Sequence, residues 1–134
     1  MTATAEQEAM TAAADIIAAF AGHERDRYFS LFEPTATFLF HSADRLLGSR
    51  AQYEAEWDSW EAEDGFRVLD CISSMQRADE VADGLVIFTH QLVTRVHDND
   101  GDHEQHERET IVLRRQPDGR WLGIHEHLSP APAV

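Results

Sequence analysis

The stretch 106–129, "HERETIVLRRQPDGRWLGIHEHLS", decides the fold. Two β-rich runs, "HERETIVLRRQ" (106–116) and "RWLGIHEHL" (120–128), flank Pro117, Asp118 and Gly119. That tripeptide favours a type I turn with a glycine bulge. A connection this short makes its two strands antiparallel neighbours. Two more runs of the same character precede them, "FRVLDCISSMQ" (66–76) and "GLVIFTHQLVTRV" (84–96). "RADEVADG" (77–84) joins the first to the second, and "HDNDGD" (97–102) joins the second to the third. The C-terminal half therefore reads as an antiparallel meander of four long strands.

Upstream the period changes. Residues 4–21 set Met10, Ala13, Ile17 and Phe20 on one helical face, with Gly22 as the stop. "ERDRYFSLF" (24–32) reads as a short second helix ended by Pro34, and "TATFLF" (35–40) as a strand. Ser49 caps a third helix over 49–64, with Gln52 at the capping-box position and Gly65 at the end. Tyr53, Trp57 and Trp60 form one stripe on it. Helices first and a meander afterwards predict an α+β fold, with three N-terminal helices packed on one face of a curved, mainly antiparallel sheet. The run 84–96 is apolar on both sides: Leu85, Ile87 and Val93 face one way, Val86, Phe88 and Leu92 the other. The face without helices then needs a cover, and a second copy of the chain across a two-fold axis is the simplest one.

With 134 residues the chain is read as a single domain, 1–134, large enough for a core. No apolar run approaches the ~20 residues of a membrane span. "MTATAEQEAM" lacks the basic start and apolar segment of a signal peptide. One cysteine, Cys71, excludes an internal disulfide, so the cytoplasm is the expected location. The net charge is −14, from 25 acidic against 11 basic residues. Such a surface repels nucleic acid and anionic membranes alike.

The loop "HDNDGDHEQHERE" imitates a calcium site, with Asp98, Asp100, Asp102 and Glu109 in the order of EF-hand ligands. The glycine that frame demands is replaced by His103, and strands rather than helices flank it. A polar hairpin turn with Asn99 to Gly101 at its tip is the better reading. His97, His103 and His106 near the tip offer only adventitious metal contacts, and neither a metal nor a cofactor is expected.

Strand register decides where the polar residues of the sheet fall. A hairpin tip at Asn99 to Gly101 sets His90 opposite Thr110 and Leu92 opposite Arg108. The glycine bulge at "QPDGR" leaves the next pairing open by one residue: either Arg108 meets His127 and Thr110 meets His125, or Glu109 meets His127. In the first register His90, Arg108, Thr110, His125 and His127 share one face. Such a cluster either hydrogen-bonds within the protein or lines a cavity. An arginine there favours an anion or carbonyl partner. Glu126 should face away from the two histidines, exposed or at an interface. Trp121 reads as core, and Cys71 as an inert thiol.

The pattern Arg108, Thr110, Gly119, Trp121, His125, Glu126, His127 and Ser129 resembles the last two strands of the SnoaL-like branch of the NTF2-like superfamily. "FEPTATFLFHSADRLLGSRAQYEAEWDSW" (32–60) is similar to the strand, glycine and third helix of that family. The resemblance spans nearly the whole chain. It implies a cystatin-like α+β cone, a bent sheet enclosing a pocket, and frequent homodimerisation through the sheet. Members include ketosteroid isomerases, polyketide cyclases, dehydratases and binding domains without chemistry, so fold does not choose among them. An isomerase-like site needs an aspartate base in the first strand, where Phe38 and Phe40 stand; the adjacent His41 would replace it only after a strand slip.

Three functions follow. The first is a small-molecule-binding domain with an apolar pocket walled by Phe38, Phe40, Tyr53, Trp57 and Trp60. His41, His90, Arg108, Thr110, His125 and His127 are its polar points, and its ligand is neutral or anionic. The second is a cofactor-free isomerase, cyclase or dehydratase. In it His41, His90 or His125 removes a proton beside a carbonyl, and Arg108 stabilises the oxyanion. The third is a dimeric interaction module without a cavity.

Overall fold

The computed structural model describes residues 2–132. Its elements run α1 (Ala5–Ala21), α2 (Arg25–Ser30), β1 (Phe32–Phe40), α3 (Arg50–Asp64), β2 (Arg67–Ala82), β3 (Leu85–Asp98), β4 (Gly101–Arg115) and β5 (Trp121–Pro130). One sheet holds the strands in the order β1-β5-β4-β3-β2. β1 is parallel to β5 and the other neighbours are antiparallel. The expected α+β architecture of three helices and a curved sheet is the one observed.

Thr4 opens α1 with a capping box: its hydroxyl accepts from the Gln7 amide at 3.1 Å, and the Gln7 side chain accepts from the Thr4 amide at 2.9 Å. The buried stripe is Ala9, Ala13, Ile16 and Ala19, turned slightly from the expected one. Small side chains let the helix approach closely, so Ile17 and Phe20 stand at its edge, half-buried. α3 starts at Ser49, whose hydroxyl accepts from the Gln52 amide, and stops at Gly65, which takes φ of +65°. Tyr53 and Trp57 of α3 are buried against the sheet.

Several strand limits differ from the expectation, each for a local reason. β2 runs through most of the segment read as a turn, and the turn proper is Asp83-Gly84. An Asp-Gly pair suits a two-residue hairpin because glycine accepts positive φ, here +73°. β1 begins at Phe32 and includes Pro34, which is tolerated because β1 is an edge strand. Its Phe32 ring lies on Gly123 of β5, where any Cβ would sit 2.5 Å from Phe32 Cδ1. A side chain at 123 would therefore push a wholly buried ring.

The β3–β4 turn is a two-residue loop, Asn99-Asp100, closed by the pair Asp98 and Gly101. His90 consequently lies opposite Glu109 and not Thr110. Between β4 and β5, Thr110 pairs with His127 and Val112 with His125, followed by a bulge before Leu113. Further irregularities interrupt β2 at Val68/Asp70, Ser74/Arg77 and Glu80/Ala82. Bulges bend a sheet, and this one curls around α1 and α3. Its concave side carries the core, with Phe38, Phe88, Ile111 and Leu113 at 0% exposure. No described helix is long and apolar enough to cross a membrane.

Candidate functional site

Between the concave side of the sheet and the helices lies a cavity of about 350 Å³. Ile17 and Phe20 of α1, Phe40 of β1, and Tyr53 and Trp60 of α3 form its apolar wall. Exposed Ser42 and Asp64 and half-buried Asp98 and Gln105 form its rim. The sheet side carries Glu107 and Glu109 of β4 and Glu126 of β5. These three carboxyls are 3%, 6% and 4% exposed, in a layer otherwise built of aromatic and aliphatic side chains.

Alternation puts them there. In β4, Glu107 and Glu109 share a face with Ile111 and Leu113, and Ile111 pairs with Glu126 of β5. A carboxylate left alone in such a layer is costly, so each has partners. The Tyr28 hydroxyl donates to Glu126 at 2.9 Å, and the Tyr53 hydroxyl lies 3.2 Å from that of Tyr28. Since Tyr28 gives its proton to Glu126, Tyr53 donates to the Tyr28 oxygen. His90 Nε2 lies 2.7 Å from Glu109 and its Nδ1 lies 2.7 Å from the Ser73 hydroxyl, so both ring nitrogens are engaged. His41, at the mouth, meets Glu107 through Nε2 at 2.5 Å.

Burial dominates the electrostatics. It pushes Glu126 well above the ordinary carboxylate range, and the neighbouring charge of Glu109 adds to this. Burial raises Glu109 to about 7, with a further push from Glu107 and an opposing hydrogen bond from Glu126. Glu107 is raised by burial as well, against the pull of His41. Burial lowers His90 to about 4, so its imidazole is neutral at physiological pH. Cys71, also on the wall, is pushed up to about 12 by burial and stays a thiol. The arrangement is a pair of carboxyls in unlike protonation states, one holding its proton and one exchanging it near neutrality.

A SnoaL-like domain profile matches residues 9–133. The chain belongs to the SnoaL-like family. Three solved structures show how far the likeness reaches. The ketosteroid isomerase-like protein from Erwinia carotovora atroseptica is 10% identical with a TM-score of 0.84, covering 98% of this chain and 100% of that one. An NTF2-like protein of unknown function in nutrient uptake from Rhodospirillum rubrum is 13% identical with a TM-score of 0.78, covering 92% and 98%. A Catenulispora acidiphila structure in complex with S-DNPA is 20% identical with a TM-score of 0.73, covering 90% and 89%. At these identities the likeness is one of fold, and it agrees with the expected NTF2-like, cystatin-like cone. No curated protein matches the sequence.

Within this SnoaL-like fold the residues singled out from sequence divide between the two sides of the sheet. Phe40, Tyr53 and Trp60 stand on the cavity wall. Phe38 and Trp57 lie behind it, wholly buried in the core. His41 and His90 reach the cavity only through Glu107 and Glu109. Arg108, Thr110, His125 and His127 do share one face, but it is the convex one, away from the cavity. The shorter β3–β4 loop causes this: one residue of register moves β4 to the other parity against β3 and separates His90 from the other four. On the convex side His125 Nδ1 bonds the Thr37 hydroxyl at 2.8 Å, and Arg108 is exposed. Glu126 faces away from both histidines as expected, yet is buried instead of exposed.

Sequence reading missed Tyr28, Glu107, Glu109 and Glu126. The signal was the spacing of Glu107 and Glu109 with Ile111 and Leu113, which places carboxylates on an apolar face. At the hairpin tip each histidine pairs with its own carboxylate: His97 with Asp102, His103 with Asp98, and His106 with Glu104. Among the described residues no group of three or more His, Cys, Asp or Glu is placed to hold a metal ion.

Proposed function

We propose that this SnoaL-like protein binds a small, mainly apolar molecule in the cavity and presents Glu107, Glu109 and Glu126 to its polar atoms. The carrying observation is the buried carboxyl layer facing an aromatic wall across open space. A core without a ligand role gains nothing from three such groups, because burial of each must be offset by hydrogen bonds. The neighbour in complex with S-DNPA supports a small-molecule role for the fold. The test is ligand-observed NMR with a library of aromatic ketones, phenols and amines. Leu92 and Cys71 lie on the wall, so Leu92→Trp and Cys71→Leu each fill the cavity. Either folded variant should weaken a hit by about tenfold or more, while Arg108→Ala on the convex face leaves it unchanged. A hit that binds both filled variants as tightly as wild type would refute the cavity as the site.

A second reading, cofactor-free proton transfer, is favoured by the unlike states of Glu109 and Glu126. An ionised Glu109 would take a proton from carbon beside a carbonyl, and protonated Glu126 would hydrogen-bond the enolate oxygen. The base is then a carboxylate rather than the histidine expected from sequence, because His90 has both nitrogens occupied and His125 is on the far face. Deuterium exchange into a bound ketone, lost in Glu109→Gln, is the corresponding assay.

We also propose that a second copy covers the convex face. Ile72 there is 60% exposed, Leu39 is 39% exposed, and Val93 and Val112 are half-buried around them. Sedimentation should give a dimer for wild type and a monomer for a folded Ile72→Asp/Val93→Asp double variant. A wild-type monomer at high micromolar concentration would contradict it.

A further inference from the structure

The cavity holds carboxylates for which the chain supplies no fixed cation. Asp64 and Asp98 stand at its rim and Glu107, Glu109 and Glu126 inside, while no arginine lines it and the chain has no lysine. Arginines elsewhere pair with other carboxylates, Arg25 with exposed Asp58 and Arg114 with half-buried Glu33. The remaining titratable groups around the space are His41, His90, Tyr28, Tyr53 and Cys71. Among the described residues His41 hydrogen-bonds Glu107, and His90 hydrogen-bonds Glu109 and Ser73.

Glu107 supplies the independent observation. It is 3% exposed and on the cavity wall, and only its Oε2 is bonded, to His41. Its Oε1 has no hydrogen-bond partner among the described residues. That oxygen keeps some contact with open space and is free to accept from a ligand. Glu109 is the next residue on the same face of β4, and successive same-face residues lie ~6.5–7 Å apart. An ammonium, with three donors and a positive charge, is the group suited to bridge two such acceptors. Facing it across the cavity are the rings of Phe40, Tyr53 and Trp60, which suit a cation as well as an apolar body.

We propose that the ligand carries a protonated amine, seated between Glu107 and Glu109, with its apolar body against Phe40, Tyr53 and Trp60. This rests on the cavity being the binding site. It replaces the sequence expectation of a neutral or anionic ligand, whose basis, Arg108, lies on the other side of the sheet. The amine arrives charged and favours the ionised form of Glu109, so binding releases a proton near pH 7.

Three probes of one size separate the charge classes: 2-phenylethylamine, 2-phenylethanol and 3-phenylpropionate. Calorimetry at pH 7 should show the amine binding about tenfold or more tighter than the alcohol, as one charge-assisted hydrogen bond requires. The carboxylate should show no binding. The amine's heat should change with the ionisation enthalpy of the buffer, reporting proton release. Glu107→Gln should cut the amine-to-alcohol affinity ratio about tenfold, and Glu109→Gln does the same if the first variant fails to fold. An alcohol that binds as tightly as the amine, or a carboxylate that binds at all, overturns the amine proposal and leaves the cavity reading standing. If neither these probes nor the aromatic library binds, the cavity reading fails and the amine proposal with it.

Discussion

Glu109→Gln is expected to gain stability on the wild type as pH rises from about 5 to about 8. Glu109 titrates at about 7 in the folded protein against 4.5 ordinarily. Below 4.5 the group is protonated in both states and contributes no pH dependence. Between 4.5 and 7 the unfolded chain releases its proton while the folded protein retains it. Stability therefore falls with pH across that window and levels off above it. The shift corresponds to about 3 kcal/mol, from 1.36 kcal/mol per unit. Glutamine keeps an acceptor for His90 and removes the titration. Urea melts of both proteins at pH 5 and pH 8 measure the difference, and parallel curves would show that Glu109 ionises normally. Burial raises Glu126 well above the ordinary carboxylate range too, so Glu126→Gln should show a gain of the same sign.

Trp57→Ala should cost about 3–5 kcal/mol, while Trp57→Phe stays within about 1 kcal/mol of wild type. Trp57 is wholly buried and its ring contacts Phe20, His23, Tyr28, Phe29 and Phe66 at 5.1–5.9 Å between centroids. Alanine leaves a cavity beneath the binding site and unties α3 from α1. Phenylalanine keeps a ring there and removes the indole N–H, which is buried without a hydrogen-bond partner among the described residues. The lost packing and the relieved polar group then offset each other. For a domain of this size the alanine variant should melt roughly 10–20 °C lower. A drop of similar size in Trp57→Phe would mean that the N–H is satisfied by a water and that the account of this core is wrong.

Element types were legible because period is a strong signal: Ala13 and Ile17 repeat as a helix, and Ile111 and Leu113 alternate as a strand. Register was not, because it hangs on one residue of loop length. Asn99-Asp100 makes a two-residue turn where Asn99 to Gly101 had suggested three, and that difference parts His90 from Arg108. The family pattern of Arg108, Thr110, His125 and His127 is real as a pattern and shares a face, but the outer one. Histidines draw the eye as functional residues, whereas Glu107 and Glu109 look like ordinary surface charge in an acidic chain. Only their parity with buried Ile111 and Leu113 marks them as interior, and that parity becomes decisive once the sheet's curvature is known.

Burial raises the carboxyls on the cavity wall, so Glu109 and Glu126 keep their protons well above the pH at which an exposed glutamate ionises. Carbon-13 NMR of the glutamate side-chain carboxyls tests it most directly, with Glu109→Gln and Glu126→Gln identifying the two resonances. Two carboxyls should still be largely protonated at about pH 6, and both should move when a cavity ligand is added. Glutamates that have all ionised by that pH, with none responding to ligand, would contradict it.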